Sequence, residues 1–296
     1  MKALVLYSGG LDSRLCIKIM QELGFNVTAL YFELPFGCNC STKENRLFVE
    51  KQNAEFRIIN VTQKQMLPKY LNAIKNAKFG YGKGFNPCAD CKVWMFKEAK
   101  KIFDKEKFDV FVSGEVLNQR PMSQTENKRR QIDKELGFDI LRPLSAKQLP
   151  ETIYEKNGIV NREKLYDING RRRIIQMELA KKYKIEYPTP AGGCLLCEKA
   201  FKKRFEYLIK NNIINEKKIN LIKIGRHFII NGIWFIVARN ESEGEQICQY
   251  KNHFLMGDKG IPTVYFSKKD ENAKKLQDAF KSNLTKDRNI FDEFKL

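Results

Sequence analysis

An α/β protein built on a doubly wound parallel sheet, with a second, smaller α/β domain containing a β-hairpin, follows from three observations on this 296-residue sequence. Apolar strands alternate with amphipathic helices from the N-terminus to about residue 142. A polar glycine loop directly follows the first strand. Near residue 220 the pattern changes to two β-rich runs flanking an Asn-Gly pair. The domains expected are residues 1–212 and 220–296.

The first strand is Ala3 to Tyr7, and Arg14 to Leu23 reads as a helix with Leu15, Ile19 and Leu23 on one face. Val27 to Phe32, Phe56 to Val61, Val110 to Val112 and Phe138 to Leu141 are further expected strands. Helices are expected near 44–52, 64–77, 92–104 and 127–136. Residues 147–211 read as mostly helical, broken at Pro188-Thr189-Pro190-Ala191-Gly192-Gly193, a loop that delivers Cys194. His227 to Ile230, Asn231-Gly232 and Ile233 to Val237 signal a type I′ hairpin. The charged residues from Thr285 onward are expected to fray.

At 43% apolar residues the chain can bury one large core or two smaller ones, and two is the count expected. No apolar run approaches the roughly 18 residues needed to cross a bilayer, so a cytoplasmic protein without a membrane partner is expected. Eight cysteines, four of them in two C-x-x-C pairs, suit a metal or redox centre better than disulfides in such a chain. The formal charge of +19 favours a polyanionic partner, nucleic acid first, although a lysine-rich background accounts for part of it. Arg171-Arg172-Arg173 and Lys128-Arg129-Arg130 are the densest clusters, and such runs are ordinarily solvated helix faces.

The loop Ser8-Gly9-Gly10-Leu11-Asp12-Ser13 lies where a parallel sheet hands over to a helix N-terminus. Free backbone N–H groups and the positive end of the helix dipole favour phosphate there, and glycines let the backbone approach it. Neither the P-loop spacing nor a G-x-G-x-x-G run is present. The loop resembles the S-G-G-x-D-S pyrophosphate loop of the PP-loop ATPases, which split ATP between the α and β phosphates and adenylate a substrate oxygen. That resemblance implies that Ser8, Gly9, Gly10 and Ser13 hold the pyrophosphate and that Asp12 helps to place Mg2+.

Cys88 and Cys91 form a C-x-x-C at the start of an expected helix, a position that favours thiolate. Cys194 and Cys197 form the second pair. Four such cysteines could hold structural zinc, but about a hundred residues between the pairs fits two distant loops converging over an active site. With Ser8–Ser13, Asn86–Cys91, Ser113–Gln124, Arg142-Pro143-Leu144-Ser145 and Ala191–Leu196, residues 1 to about 210 resemble the tRNA thiouridine synthetases. The resemblance implies a 4Fe-4S cluster on Cys88, Cys91 and Cys194, with one iron open, and an adenylate-contacting Gly114. Cys197 departs from the three-ligand pattern; it is either a fourth ligand or, as favoured, a small buried residue on the following helix. Cys38 and Cys40 either relay sulfur or are loop thiols without a role. Cys16 and Cys248 read as core residues. Ser113-Gly114-Glu115 departs from the T-G-H of some relatives.

Both histidines, His227 and His253, lie in the second domain, so the first supplies no imidazole base. Ile224–Phe228 and Val237–Glu241 resemble the RNA-binding domain of NFACT-type proteins, which implies phosphate contacts for Lys223, Arg226 and Arg239, while His227 either stacks on a base or is a hairpin residue with no ligand. The other reading is an ordinary small domain that packs on the enzyme or forms a homodimer. The expected function is that of an ATP-dependent tRNA sulfurtransferase replacing a uridine carbonyl oxygen with sulfur, with Asp12, Ser13, Cys88 and Cys194 as catalytic residues, tRNA as partner and the sulfur donor unidentified. The alternatives are a PP-loop enzyme that removes sulfur from thiolated bases or adenylates RNA for a nitrogen nucleophile, and a zinc-stabilised, non-catalytic RNA-binding protein.

Overall fold

A computed structural model describes the chain except for residues 38–40, 64, 83–85, 189–193, 214, 216–217 and 282–290. The described residues divide into two compact units, Met1–Cys197 and Glu198–Leu296.

In the first unit β1 (Lys2–Tyr7), β2 (Asn26–Glu33), β3 (Glu55–Asn60) and β4 (Val110–Ser113) form a parallel sheet in the order β3-β2-β1-β4. The central strands read as continuous apolar runs because both of their faces are covered. Ala3, Leu4, Val5, Val110, Phe111 and Val112 are all fully buried. The connecting helices are α1 (Leu11–Glu22), α2 (Thr42–Lys51), α3 (Leu67–Lys75), α4 (Cys88–Lys105) and α5 (Glu126–Leu136). Strand order reverses between β1 and β4, and in such sheets the crevice beyond the carboxyl ends of these strands is where ligands bind.

Two expectations change here. Phe138–Leu141 is not a strand: only Leu141 joins the sheet, through one parallel bridge to Val112, and Pro143, two residues on, has no N–H with which to extend the ladder. Of residues 147–211, Lys199–Lys210 is helical as expected, and residues 147–197 are less so. They hold the single turn α6 (Ile153–Lys156), the two-turn α7 (Ile174–Lys182) and short 3-10 turns, punctuated by Gly158 and Gly170 at φ values of 70° and 92°.

In the second unit α8 (Lys199–Lys210), expected within the first domain, groups with β5 (Arg226–Ile230), β6 (Ile233–Val237), α9 (Glu241–Cys248), β7 (Phe254–Leu255), β8 (Val264–Phe266) and α10 (Asn272–Ala279). The sheet is antiparallel in the order β5-β6-β8-β7. Asn231 and Gly232 take φ values of 50° and 75°, the pair of left-handed residues a type I′ turn requires, so the hairpin forms as expected. Phe228, Phe235, Val237, Val264 and Leu276 build its core, joined by Phe291. Lys295 pairs with Phe228, so the described end of the chain is anchored and not frayed.

Candidate active site

The glycine loop sits at the switch point as the sequence requires. Helix α1 starts three residues earlier than its apolar face suggests, at Leu11, so Asp12 and Ser13 stand in its first turn with Gly10 as an extended N-cap. Ser13 Oγ folds back on the loop, donating to Gly10 O at 2.9 Å and accepting from Ser8 N at 3.2 Å. Gly9 has φ +81°, and a Cβ there would fall 2.3 Å from Asn45 Oδ1, so only glycine fits. Arg14 braces the loop from below, with Nε donating to Gly9 O at 2.8 Å and the guanidinium lying over Phe48.

Gly114, immediately after β4, closes the other side. A Cβ on it would lie 2.9 Å from both Ser13 Cα and Ser13 N, so its smallness lets the first turn of α1 nest against the end of β4. The next residue, Glu115, turns inward. It accepts from Arg142 Nε at 2.9 Å and from Lys92 Nζ, and Arg142 continues to Asp133 at 2.6 Å. Burial opposes ionisation of Glu115, but Lys92 and Arg142 outweigh it and hold its carboxyl down at about 2. Ser145 is equally internal, donating to Ile168 O and accepting from Leu117 N.

Asp12 faces a polar pocket that the sequence reading missed. Its Oδ2 accepts from Gln119 Nε2 at 2.7 Å, and Gln119 Oε1 accepts from Gln176 Nε2 of α7 at 3.0 Å. Asp12 Oδ1 and Gln176 Oε1 are both buried without a partner. Burial raises the Asp12 pKa against the opposing pull of the Gln119 hydrogen bond and of Arg173 and Arg120. A buried, unsatisfied carboxylate oxygen at the mouth of a helix N-terminus suits a hard cation that also contacts phosphate oxygens, so Asp12 fits Mg2+. Asn45 was also missed; its Oδ1 accepts from Tyr7 at 3.2 Å while its buried Nδ2 has no partner. Asn45 and Gln176 carry no motif, and their only available signal was polar residues within otherwise apolar faces; Gln119 lies within the Ser113–Gln124 segment quoted above but nothing there singled it out.

The two C-x-x-C segments lie near enough for their thiols to act on one another. Cys88 and Cys91 occupy the first turn of α4, and Cys194 precedes a 3-10 turn, Leu195–Cys197, tied down by Leu195 N donating to Phe36 O at 3.0 Å. Burial pushes the Cys88 thiol up to about 11, helped by Cys197, which hydrogen-bonds it, and by Cys91. Burial also raises Cys194, which feels Cys91, Cys197 and Cys88. Tyr70 OH lies 3.5 Å from Cys91 Sγ. Cys197 is exposed and ends a 3-10 turn, so the expected buried position on a helix is incorrect. The all-thiol donor chemistry fits a soft metal, although among the described residues no three His, Cys, Asp or Glu side chains are arranged to hold one. Cys16 is fully buried; Cys248 is only partly so, and Cys38 and Cys40 lie outside the described residues.

In the second unit the placement of the expected RNA contacts is mixed. His227 is 1% exposed, with Nε2 at 2.7 Å from Ile224 O and Nδ1 accepting from Trp234 Nε1 at 2.9 Å, so it is a core residue and not a base-stacking one. Arg239 is bound to Glu243 by a forked pair. Arg226 lies over the Phe280 ring, and Lys223 ends a 3-10 turn just before β5. Among the described residues no helix is long and apolar enough to cross a membrane.

Residues 1–164 match the family model described as thiamine biosynthesis protein (ThiI). The chain is 29% identical over 153 residues to a probable tRNA sulfurtransferase from Finegoldia magna. That match covers 51% of this chain and 38% of the relative, so the chain spans well under two thirds of that protein's length. Among solved structures it is similar to a 4-thiouridine synthetase–RNA complex with bound ATP, at 20% identity and TM-score 0.39 over 74% of this chain and 53% of that one. It is also similar to a predicted subunit of tRNA methyltransferase from Methanocaldococcus jannaschii, at 20% identity and TM-score 0.33 over 48% and 69% of the two chains. With the family model covering more than half of its residues, all within the unit that carries the glycine loop and the C-x-x-C helix, the chain belongs to the ThiI family.

Proposed function

We propose that the chain is an ATP-dependent tRNA sulfurtransferase that makes thiouridine. One observation carries the reading: the step Gly114-Glu115 touches both chemical centres. Gly114 abuts Ser13 of the phosphate loop, and Glu115 binds Lys92, the residue after Cys91. A phosphate site and a thiol cluster on adjoining supports suit a reaction that first activates an oxygen with ATP and then replaces it with sulfur.

In this reading Ser8, Gly9, Gly10 and Ser13 line the β and γ phosphates, and Asp12 holds Mg2+ through its free Oδ1. The uridine carbonyl oxygen bonds to the α-phosphorus while the Pα–O–Pβ bond breaks and pyrophosphate leaves. A sulfur nucleophile, delivered by a separate donor, then bonds to the ring carbon as the C–O bond to AMP breaks. Arg120 and Arg173, which act on Asp12, would balance the charge that builds on the phosphates. Cys88, Cys91 and Cys194 would hold a 4Fe-4S cluster, which when bound offers an iron site for sulfide. The second unit, with Lys223 and Arg226, serves RNA capture.

The test is a nucleotide and nucleoside assay on anaerobically prepared protein with unmodified tRNA. AMP, pyrophosphate and thiouridine in equal amounts are expected when Mg2+ and a sulfide source are supplied. Formation of ADP and orthophosphate would overturn the adenylation chemistry.

A further inference from the structure

The first turns of α7 are two-faced in a way the catalytic assignment does not use. Inward, Gln176 is fully buried and reaches Gln119, with Leu179 and Ala180 buried behind it. Outward, Ile174, Ile175 and Met177 are 58%, 44% and 51% exposed, three of the eight large apolar side chains that are exposed among the described residues. Arg171 and Arg172, also exposed, precede the ridge with only Arg173 between, and among the described residues neither is in an ion pair. An apolar ridge of this kind is unfavourable in water unless something covers it.

The geometry points to this ridge as a docking surface for single-stranded RNA at the mouth of the ATP site, with unstacked bases on Ile174, Ile175 and Met177 and phosphates on Arg171 and Arg172. The inference rests on the tRNA substrate proposed above and adds where its strand runs. Two features favour RNA as the occupant. The unpaired arginines complement a phosphate backbone. The ridge also lies on the same two turns as Gln176, one hydrogen-bonded residue from the Asp12 pocket. A uridine presented to ATP must leave its stack, and the flanking bases that lose a neighbour then need an apolar surface.

The experiment measures binding of an unmodified tRNA transcript to the full chain by fluorescence anisotropy across a salt series, beside ATP binding. Arg171→Ala with Arg172→Ala should reduce the log-log salt slope by roughly 1.4 to 1.8, because each lost phosphate contact removes about 0.7 to 0.9. Ile174→Ser with Met177→Ser should weaken tRNA binding at least tenfold with the slope unchanged, since stacking surface and not charge is removed. Both double variants should bind ATP normally. Wild-type affinity and slope in both variants would overturn the docking surface alone. So would loss of self-association in Ile174→Ser with Met177→Ser while RNA affinity stays intact, which would make the ridge an interface between copies of the chain. A wild-type chain that binds no tRNA at all would instead overturn the substrate reading beneath it.

Discussion

Gln119 donates to Asp12 Oδ2 at 2.7 Å, and the other oxygen of the same carboxylate is left buried and unpartnered. The amide therefore fixes which oxygen of the carboxylate is engaged and which is left over. Gln176 fixes the amide in turn, through its own bond to Gln119 Oε1 at 3.0 Å. Two neutral side chains orient one charged one, and the cost of burying that charge remains until a cation arrives.

That cost predicts opposite effects of one substitution on stability and on function. Burial raises the native pKa of Asp12, so the fold favours the protonated form and carries a penalty once pH exceeds the native value. Asp12→Asn should raise the melting temperature at neutral pH, and the gain should vanish as the medium is acidified and the wild-type carboxyl protonates. The same variant should lose Mg2+-dependent pyrophosphate release by a factor of about a thousand. Gln119→Leu should keep the fold and lower the rate roughly 10- to 100-fold, with partial rescue by Gln119→Asn. Thermal scans from pH 4 to 8 beside pyrophosphate assays check both, and an unchanged melting temperature in Asp12→Asn would remove the argument.

Gly114 offers a steric test of how β4 and α1 meet. An added methyl would lie 2.9 Å from two backbone atoms of Ser13, which cannot move without shifting the phosphate loop. Gly114→Ala should leave helix content intact and weaken ATP binding at least tenfold, measurable by calorimetry. Gly137→Ala is the control for a different glycine effect: nothing lies near its Cβ, but its φ of +69° strains alanine, so it should lower stability and spare ATP affinity.

Glu115 serves the interior, buried between Lys92 and Arg142. Its carboxyl is held at about 2 by Lys92 and Arg142, below the ordinary value, so its contribution to stability is complete above pH of about 4.5 and lost as pH falls towards 2. Glu115→Gln should cost about 3–5 kcal/mol at neutral pH, because two cations are left inside with one carboxylate fewer. It should also flatten the wild-type loss of stability between pH 4.5 and 2 in urea titrations.

The sequence was most legible where one local rule dominated. The apolar runs of β1, β2 and β4 named themselves because strands covered on both faces leave no room for alternation, and Asn231-Gly232 named its hairpin because two left-handed residues in succession fit few other structures. Phe138–Leu141 misled because its apolar character serves packing while Pro143 has no N–H with which to extend the ladder. In the site, Ser8 to Ser13 and the C-x-x-C were readable as contiguous patterns. Gln119, Gln176 and Asn45 were not, since each acquires its meaning from a residue 57 positions away or from a packed glycine that only the fold brings near. His227 shows the same limit: a histidine on a strand carries no mark of which face it occupies, and here Trp234 and Ile224 claim both ring nitrogens.

His227 should accordingly behave as a core group. Burial, then Arg204 and Arg239, holds its pKa well below 6.5, so the unfolded chain takes up a proton first and stability is lost as pH falls below about 6.5. Its ring resonances should not move between pH 8 and 6 in a nuclear magnetic resonance titration. His227→Phe should destabilise the protein by about 1–3 kcal/mol, since Trp234 Nε1 then loses its acceptor, without changing the salt dependence of tRNA binding. Markedly weaker tRNA binding by a folded His227→Ala chain would return His227 to the RNA interface as a stacking residue.

The thiols give the test that separates a sulfur-transfer enzyme from a zinc-held binding protein. Protein purified without oxygen should contain iron and acid-labile sulfide, and Cys88→Ala, Cys91→Ala and Cys194→Ala should each lose the iron and the thiolation of tRNA together. The position of Cys197 sharpens the question, since its thiol hydrogen-bonds Cys88 from an exposed turn. If three thiolates suffice, Cys197→Ala should retain most of the iron and most of the activity. If it loses both, the site closes with four ligands and leaves no open iron for sulfide. Stoichiometric zinc that resists replacement by iron, with ATP bound but never split, would instead make the four cysteines a structural clasp and the glycine loop a remnant.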